Sequence, residues 1–467
     1  MTRARFLFAS LSALALSACA AGPDYVAPIA PPASSGPFLS QSPALSIEPV
    51  ATAWWKLYDD PVLDGLIQDA LVANTDIRVA VARLEKARAA LSGARSDRLP
   101  QASLDAGATY GRLPESQRAP GAPREDWSVD GGLSVSYEVD LFGRVSRGVE
   151  AARGDAAAAQ ADADAVRIAV IADTTRAYAD ASSGAARLAV ARHISGLLDN
   201  LLDLTRRRHG AGLATQLDVA RVATLRDQRA ADIPAIEAER QAALFRLAML
   251  TGRAPADLPE IATRRSVGLE IVQAIPVGDG AALLARRPDI RAAERRLAAN
   301  TARIGVATAD LYPRITLGGS VGSTGPNIAD AFGVGPLRWL LGSLISWNLN
   351  PSAARARVNG AKADSQAALA TFDGTVLNAL RETETALSSY ARALDRRKAL
   401  ASASDFAEQA ARIARAQQRE GAIDSLQLLD AERTFSEAQA ALALQDAQVS
   451  AAQIDLFRAL GGGWSQT

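Results

Sequence analysis

The chain has 467 residues with 51 basic and 51 acidic side chains, and only 5% of it is aromatic. This neutral balance offers no clustered basic surface for a nucleic acid. Its single cysteine excludes an intrachain disulfide. No run of about 18 apolar residues is available for a transmembrane helix in the mature chain. Abundant alanine beside few aromatics suits long, closely packed helices.

Residues 1–18 read as a lipoprotein signal peptide. Arg3 and Arg5 form a positive n-region, Phe6 to Leu16 an apolar h-region, and Leu16-Ser17-Ala18 precedes the sole cysteine, Cys19. The pattern resembles a bacterial lipobox, with lipidation of Cys19 as the implied modification and Ala20 resembling an outer-membrane address. An ordinary signal peptide with a chance cysteine is the bland alternative. Residues 19–53, rich in proline, serine and alanine, read as an extended, lipid-anchored tether. Trp54 and Trp55 end it and are assigned packing only.

A first unit spans 54–280. Its helical pattern from Val62 to Leu99 has a capping cluster at Asn74-Thr75-Asp76, and Pro100 stops it. The period then changes to 2. Ala102, Leu104, Ala106, Ala108 and Tyr110 alternate with Ser103, Asp105, Gly107 and Thr109, giving a strand at about 101–112. Trp127, Val129, Gly131, Leu133, Val135, Tyr137 and Val139 mark a second at about 127–140. Their length and strongly polar alternate face suit outer-membrane barrel strands, although a soluble hairpin would look similar.

A proline-free helix follows at about 144–209. Leu188, Ala191, Ser195, Leu198, Leu202 and Thr205 form one seam, and Val190, Ile194, Leu197, Leu201 and Leu204 a second beside it. One seam serves one neighbouring helix, so two predict a ring or sheet of helices. A turn at 210–214 leads to a helix from about Thr215 to Leu250, which Pro234 should kink or restart. Residues 252–280 look irregular.

The plan repeats over 281–467. Leu283 to Leu311 is helical, starting at Arg286-Arg287-Pro288-Asp289. Strands follow at about 314–323 and 337–350, a long helix at about 352–420, a turn at 420–424 and a last helix to Leu460. Gly212 matches Gly421, Leu217 matches Leu426 and Leu247 matches Leu456 at one offset. The fold class is therefore mainly α with a small transmembrane β part, built as a duplicated helix-strand-strand-long helix-turn-helix unit. Four strands cannot close a barrel in lipid, where unpaired edges cost several kcal/mol per group, so such a chain must oligomerise.

Several fragments carry a family resemblance: Gly22-Pro23-Asp24-Tyr25 after Cys19, Trp54-Trp55 with Asp60-Pro61, and Tyr137-Glu138-Val139-Asp140-Leu141-Phe142-Gly143-Arg144. Leu284-Ala285-Arg286-Arg287-Pro288-Asp289-Ile290-Arg291-Ala292-Ala293-Glu294-Arg295 is the most specific, and Leu428-Leu429-Asp430-Ala431-Glu432-Arg433 adds to it. In this order and inside this repeat, the chain resembles the TolC-like outer-membrane factors, and more closely the NodT-type lipoprotein branch serving resistance–nodulation–division efflux pumps.

The resemblance implies a homotrimer whose 12-strand β-barrel is continued by a 12-helix α-barrel in the periplasm. The chain would act as a passive duct for drugs or other small toxic solutes, driven by an inner-membrane pump and joined to it by a periplasmic adaptor. It implies adaptor docking at the tip turns, carried here by Gly210, Gly212, Leu213, Leu217, Gly421 and Leu426. By position it also makes Asp218, Arg221 and Asp430 candidate gate residues, although Gln427 and Ile423 replace an aspartate and an arginine-type contact. A solvated residue near a helix start is an equal reading for both aspartates.

No cofactor or metal is expected. His193 and His209 are the only histidines, and no His/Cys cluster or nucleophile–base arrangement can be drawn. A type I secretion exit duct and a lipid-anchored coiled-coil scaffold without a pore are the rival functions; an enzyme is not expected.

Overall fold

The computed structural model describes residues 20–28, 36–112, 114–118, 120–121, 123–329 and 337–462. Cys19 and the signal peptide lie outside them. The main elements are β1 (Leu45–Ser46), α1 (Pro61–Ala73), α2 (Thr75–Ser96), β2 (Gln101–Arg112), β3 (Glu125–Val139), α3 (Arg144–Gly210), α4 (Gln216–Leu250) and β4 (Ile275–Pro276). They continue with α5 (Gly280–Arg286), α6 (Pro288–Ala309), β5 (Arg314–Gly325), β6 (Leu337–Ser346), α7 (Ser352–Arg419) and α8 (Ser425–Ala459). Helices α4 and α8 both have 35 residues, and β2 and β5 both have 12. The duplication is thus kept in the length of these elements, while β3 and β6 differ at 15 and 10 residues.

Contacts divide the chain into two compact units. The first contains Arg83–Gln160 and Ala292–Asp373 with the residues up to Ile29. Its centre is an antiparallel sheet in the order β2-β3-β5-β6. Register aligns Leu104 with Leu133, Leu133 with Val321, and Val321 with Trp339. Since side chains alternate along a strand, one face collects Tyr110, Trp127, Leu133, Val135, Leu317, Val321, Trp339 and Leu341. The other face carries Ser103, Asp105, Asp130, Ser134, Glu138, Thr316 and Ser320. Glycines bring β3 and β5 close: a Cβ at Gly322 would lie 2.6 Å from the Gly131 carbonyl oxygen. β6 stops at Ser346, short of the expected 350, because Asn350 caps α7 by accepting from the Ser352 N–H and Pro351 has no N–H to donate.

Asp140 turns the chain from sheet to helix, its carboxylate accepting from the backbone N–H groups of Val145 and Ser146 at 3.0 and 2.7 Å. Residues 20–28, expected within an extended, lipid-anchored tether, are docked here. Ala21 N–H donates to the Phe142 carbonyl at 2.9 Å. Asp24 pairs with Arg147, and the Tyr25 hydroxyl donates to Glu294. Gly22, at φ +90°, abuts Gly305, where an added Cβ would approach to 2.5 Å. The Gly22-Pro23-Asp24-Tyr25 fragment is therefore a packing motif.

The second unit contains Ala30–Ala82, Ala161–Arg291 and Gly374–Thr467. Its core joins Trp54, Tyr58, Leu63, Ile171, Tyr178, Leu247, Leu387, Tyr390, Phe457 and Leu460. Trp54 stacks on Phe457 with centroids 4.6 Å apart. Residues 36–50 also depart from the tether expectation. Phe38 is buried, the Leu39 and Ser40 N–H groups donate to Glu384, and β1 pairs in parallel with β4.

Asn74 separates α1 from α2 and caps the latter through the Asp76 N–H at 2.9 Å. Pro288 splits the expected 283–311 helix into α5 and α6 by holding Arg287 in an extended conformation. Arg286 then donates to the Leu460 carbonyl and Arg287 to the Ala459 carbonyl, so two guanidinium groups finish α8. Pro234 neither restarts nor ends α4, which stays one helix with buried Leu225, Ile236 and Leu244 on either side of it.

Candidate functional site

The two helix turns share one backbone solution. In the first, Gly212 lies at φ +76°; its N–H donates to the His209 carbonyl and the Leu213 N–H to that of Arg208. In the second, Gly421 lies at φ +74°, with Gly421 donating to Gln418 and Ala422 to Gln417. This paired closure satisfies the last carbonyls of a helix, and its left-handed residue favours glycine. Gly210, by contrast, is the last residue of α3 and has an ordinary helical role. Leu213, Leu217 and Leu426 are 70%, 56% and 49% exposed, leaving apolar side chains around both turns.

The side chains following each turn differ. Thr215 and Asp218 form a reciprocal capping box: the Asp218 N–H donates to Thr215 Oγ1, and Asp218 Oδ2 accepts from the Thr215 N–H at 2.8 Å. Those bonds to Thr215, aided by Arg221 and Arg208, hold the Asp218 carboxyl below the usual carboxylate range. Arg221 is exposed one turn further along α4. At the second turn the cap is Asp424, which accepts from the Gln427 N–H at 2.8 Å. Asp430 pairs with Arg433 of its own helix at 2.7 Å. Among the described residues, neither Asp218 nor Asp430 forms an ion pair with another helix of the chain.

Other charges join the helices. Arg415 of α7 makes a double contact with Glu432 of α8, and its guanidinium lies 5.8 Å from the Phe435 ring centroid. Glu432 is only 5% exposed, and its hydrogen bonds hold the Arg415 pKa above the ordinary arginine value. Arg229 of α4 meets Glu437 of α8 at 2.9 Å. The sequence carried a signal for Glu432: it occupies the seam between Leu428 and Phe435, where a carboxylate must find a cation. The charge of Arg415 was visible, but not its register against α8.

The double seam on α3 meets three helices, α4, α7 and α8, and its two stripes are not sorted one to each neighbour. Ile194 and Leu198 pack with Leu225 of α4 and Leu429 of α8, while Leu197 packs with Ala407, Ala411 and Phe435. Two further 3-4 stripes stay exposed on the helices at either end of this array. Ala399, Ala403, Phe406, Ala410, Ile413 and Gln417 form one on α7; Leu217, Ala220, Thr224, Asp227, Ala231, Pro234 and Ala238 form the other on α4.

Among the described residues there is no group of acidic, His or Cys side chains able to hold a metal, and no helix is long and apolar enough to cross a membrane.

The profile of the outer membrane efflux protein family matches residues 66–253 and 281–462, following the two repeats. Outer membrane protein OprJ of Pseudomonas aeruginosa is 33% identical over 98% of this chain and 96% of its own length. Nodulation protein T of Rhizobium leguminosarum bv. trifolii is 30% identical over 97% of this chain and 96% of its own. The solved outer-membrane channel OprN is similar with a TM-score of 0.88 and 36% identity, covering 96% of this chain and 100% of that one. By profile, sequence and fold alike, this chain belongs to the outer membrane efflux protein family.

Proposed function

We propose that the chain is the outer-membrane duct of a tripartite efflux pump, passive itself and driven by an inner-membrane pump through a periplasmic adaptor. The carrying observation is the four-stranded sheet, with one largely apolar face, one face that is polar on β2, β3 and β5 but carries Leu340 and Leu344 on β6, and, among the described residues, unpaired edges on β2 and β6. In lipid those edges must pair. Three copies close a barrel of twelve strands, and the exposed stripes of α7 and α4 then meet between neighbouring copies to close the helical ring. Phe406 and Ile413 provide large knobs for the small residues Ala220, Thr224 and Ala231. The sheet argues against a lipid-anchored scaffold. Relatives named for antibiotic and toluene efflux support small toxic organic solutes as cargo rather than secreted polypeptides.

Cys19 is the lipidation site in this reading, and the leucines around the two turns are the adaptor's docking surface. Asp218, Arg221 and Asp430 stand at the end where a ring of like charges would gate small ions. Reconstitution in planar bilayers tests the duct: stable trimers with single-channel conductance are expected, and a non-conducting monomer would overturn it. Phe406→Asp should dissociate the trimer in mild detergent, as read by size-exclusion chromatography with light scattering. For the gate, the Asp218→Ala, Asp430→Ala double variant should raise the conductance of adaptor-free trimers; unchanged conductance removes these residues from that role.

A further inference from the structure

A groove of about 660 Å³ lies in the second unit among α3, α7 and α8. Its floor is apolar and small: Ala165, Ile168 and Ala169 of α3, with Ala386 of α7 and Ala452 of α8. Exposed Thr385, Ser389 and Gln448 add neutral hydrogen-bonding groups to its walls. Charges at the rim already have opposite partners. Arg287 contacts Asp289 and Glu382 at 2.7 and 2.9 Å, and Asp455 contacts Arg176 at 2.9 Å. Arg458 faces Asp173 at 3.5 Å, and Arg381 faces Glu382 at 3.8 Å.

The direction in which the groove opens follows from α8. One stripe of this helix, Val449, Leu456, Phe457 and Leu460, enters the core with Trp54, Tyr58 and the 258–277 segment. Gln448, Ala451 and Asp455 lie on the side turned away, and Ala452 lies at the boundary, packed against the core. Three copies of those appended segments on the inside of a helical ring would fill its bore. The core side therefore faces out, and the groove side lines the passage.

We infer that this groove is a transit site for uncharged, amphiphilic organic solutes with an aromatic or aliphatic body. Its volume falls within the range of small-molecule pockets, roughly 300–1,000 Å³. The alanine floor accepts an apolar body, and the hydroxyl and amide groups accept a few hydrogen bonds. A rim of neutralised charges gives a net ion little to gain in exchange for its hydration. The inference rests on the duct reading, with three equivalent grooves around one bore.

The test uses purified full-length trimers and N-phenyl-1-naphthylamine, an uncharged fluorophore that brightens in apolar surroundings. Saturable binding at three sites per trimer is expected. Ala452→Trp should fill the groove and weaken binding at least tenfold, with probe-free conductance unchanged because a wall recess is not a constriction. Ala169→Leu, a smaller intrusion from α3, serves if the tryptophan variant does not form trimers. Anionic 8-anilinonaphthalene-1-sulfonate and cationic rhodamine 6G should each bind at least tenfold more weakly than the neutral probe. Conducting trimers that bind no neutral probe, that bind it equally after filling, or that prefer either ion would overturn the groove assignment while leaving the duct standing. A protein that does not conduct would instead overturn the duct.

Discussion

The two helix turns have the same backbone and different fastenings. Each closes around a left-handed glycine, at Gly212 and Gly421, and each starts the next helix with a side-chain cap. Beyond the cap, the α3–α4 pair is joined by the apolar contacts of Ile194, Leu198 and Leu225 and by partly exposed ion pairs, Arg187 with Glu239 and Arg192 with Glu237, each at 2.7 Å. The α7–α8 pair is joined by the largely buried contact of Arg415 with Glu432 beside Phe435. Duplication thus preserved what the backbone requires, and the side chains diverged where only helix-to-helix contact was at stake. Exposed single contacts hold register weakly; a double contact between a guanidinium and a buried carboxylate fixes it. The second pair should therefore be the less compliant one.

The largest effect should come from removing that contact. Glu432→Ala leaves the Arg415 guanidinium half-buried without its carboxylate, and destabilisation of about 2 kcal/mol is expected, discounted from a fully buried pair because Arg415 is partly exposed. Thermal loss of helical circular dichroism in detergent would measure it. The Arg415→Met, Glu432→Leu double variant should recover most of the loss, and failure to do so would show that packing rather than charge holds this pair. Next comes Thr215→Ala, which removes one side of the capping box at about 1 kcal/mol. Faster amide exchange confined to the first turn of α4 is the expected signature, with the second turn unaffected.

Acid should distinguish the turns more gently. The Asp218 carboxyl titrates below its ordinary range in the folded chain, so its contribution is complete above the ordinary aspartate value of about 4. It is lost as pH falls from there through the depressed folded value. The first turn should accordingly lose amide protection on acidification, and Asp218→Asn should flatten that dependence. The smallest effect belongs to Asp430→Ala, since its pair with Arg433 is solvent-exposed; a stability change within about 0.5 kcal/mol is expected from denaturant unfolding.

Periodicity made the repeat, the four strands and the two long helices legible, because apolar spacing differs between strand and helix and glycine marks the turns. Tyr110, Leu133 and Val321 fell on one sheet face as alternation required. Composition misled at 20–28 and 36–50. Proline and serine suggested an extended tether, while the contacts that hold these residues include a glycine-to-glycine approach at Gly305 and two N–H groups directed at Glu384. Such contacts have no period. At the turns, Gly212 and Gly421 could be found from their offset, but the task of Asp218 required knowing where α4 begins to within one residue. The pairing of Arg415 with Glu432 required the register between two helices, which neither helix encodes alone.

The unpaired edges of β2 and β6 have a genetic consequence. Each chain must give one edge to a neighbour and take another, so a chain defective at either edge spoils the ring that admits it. If such a variant and the intact chain are made in equal amounts and mix freely, only about one trimer in eight is wholly intact. Edge defects should therefore behave as dominant, at a strength set by the number of copies in the ring rather than by the severity of the lesion in any one of them.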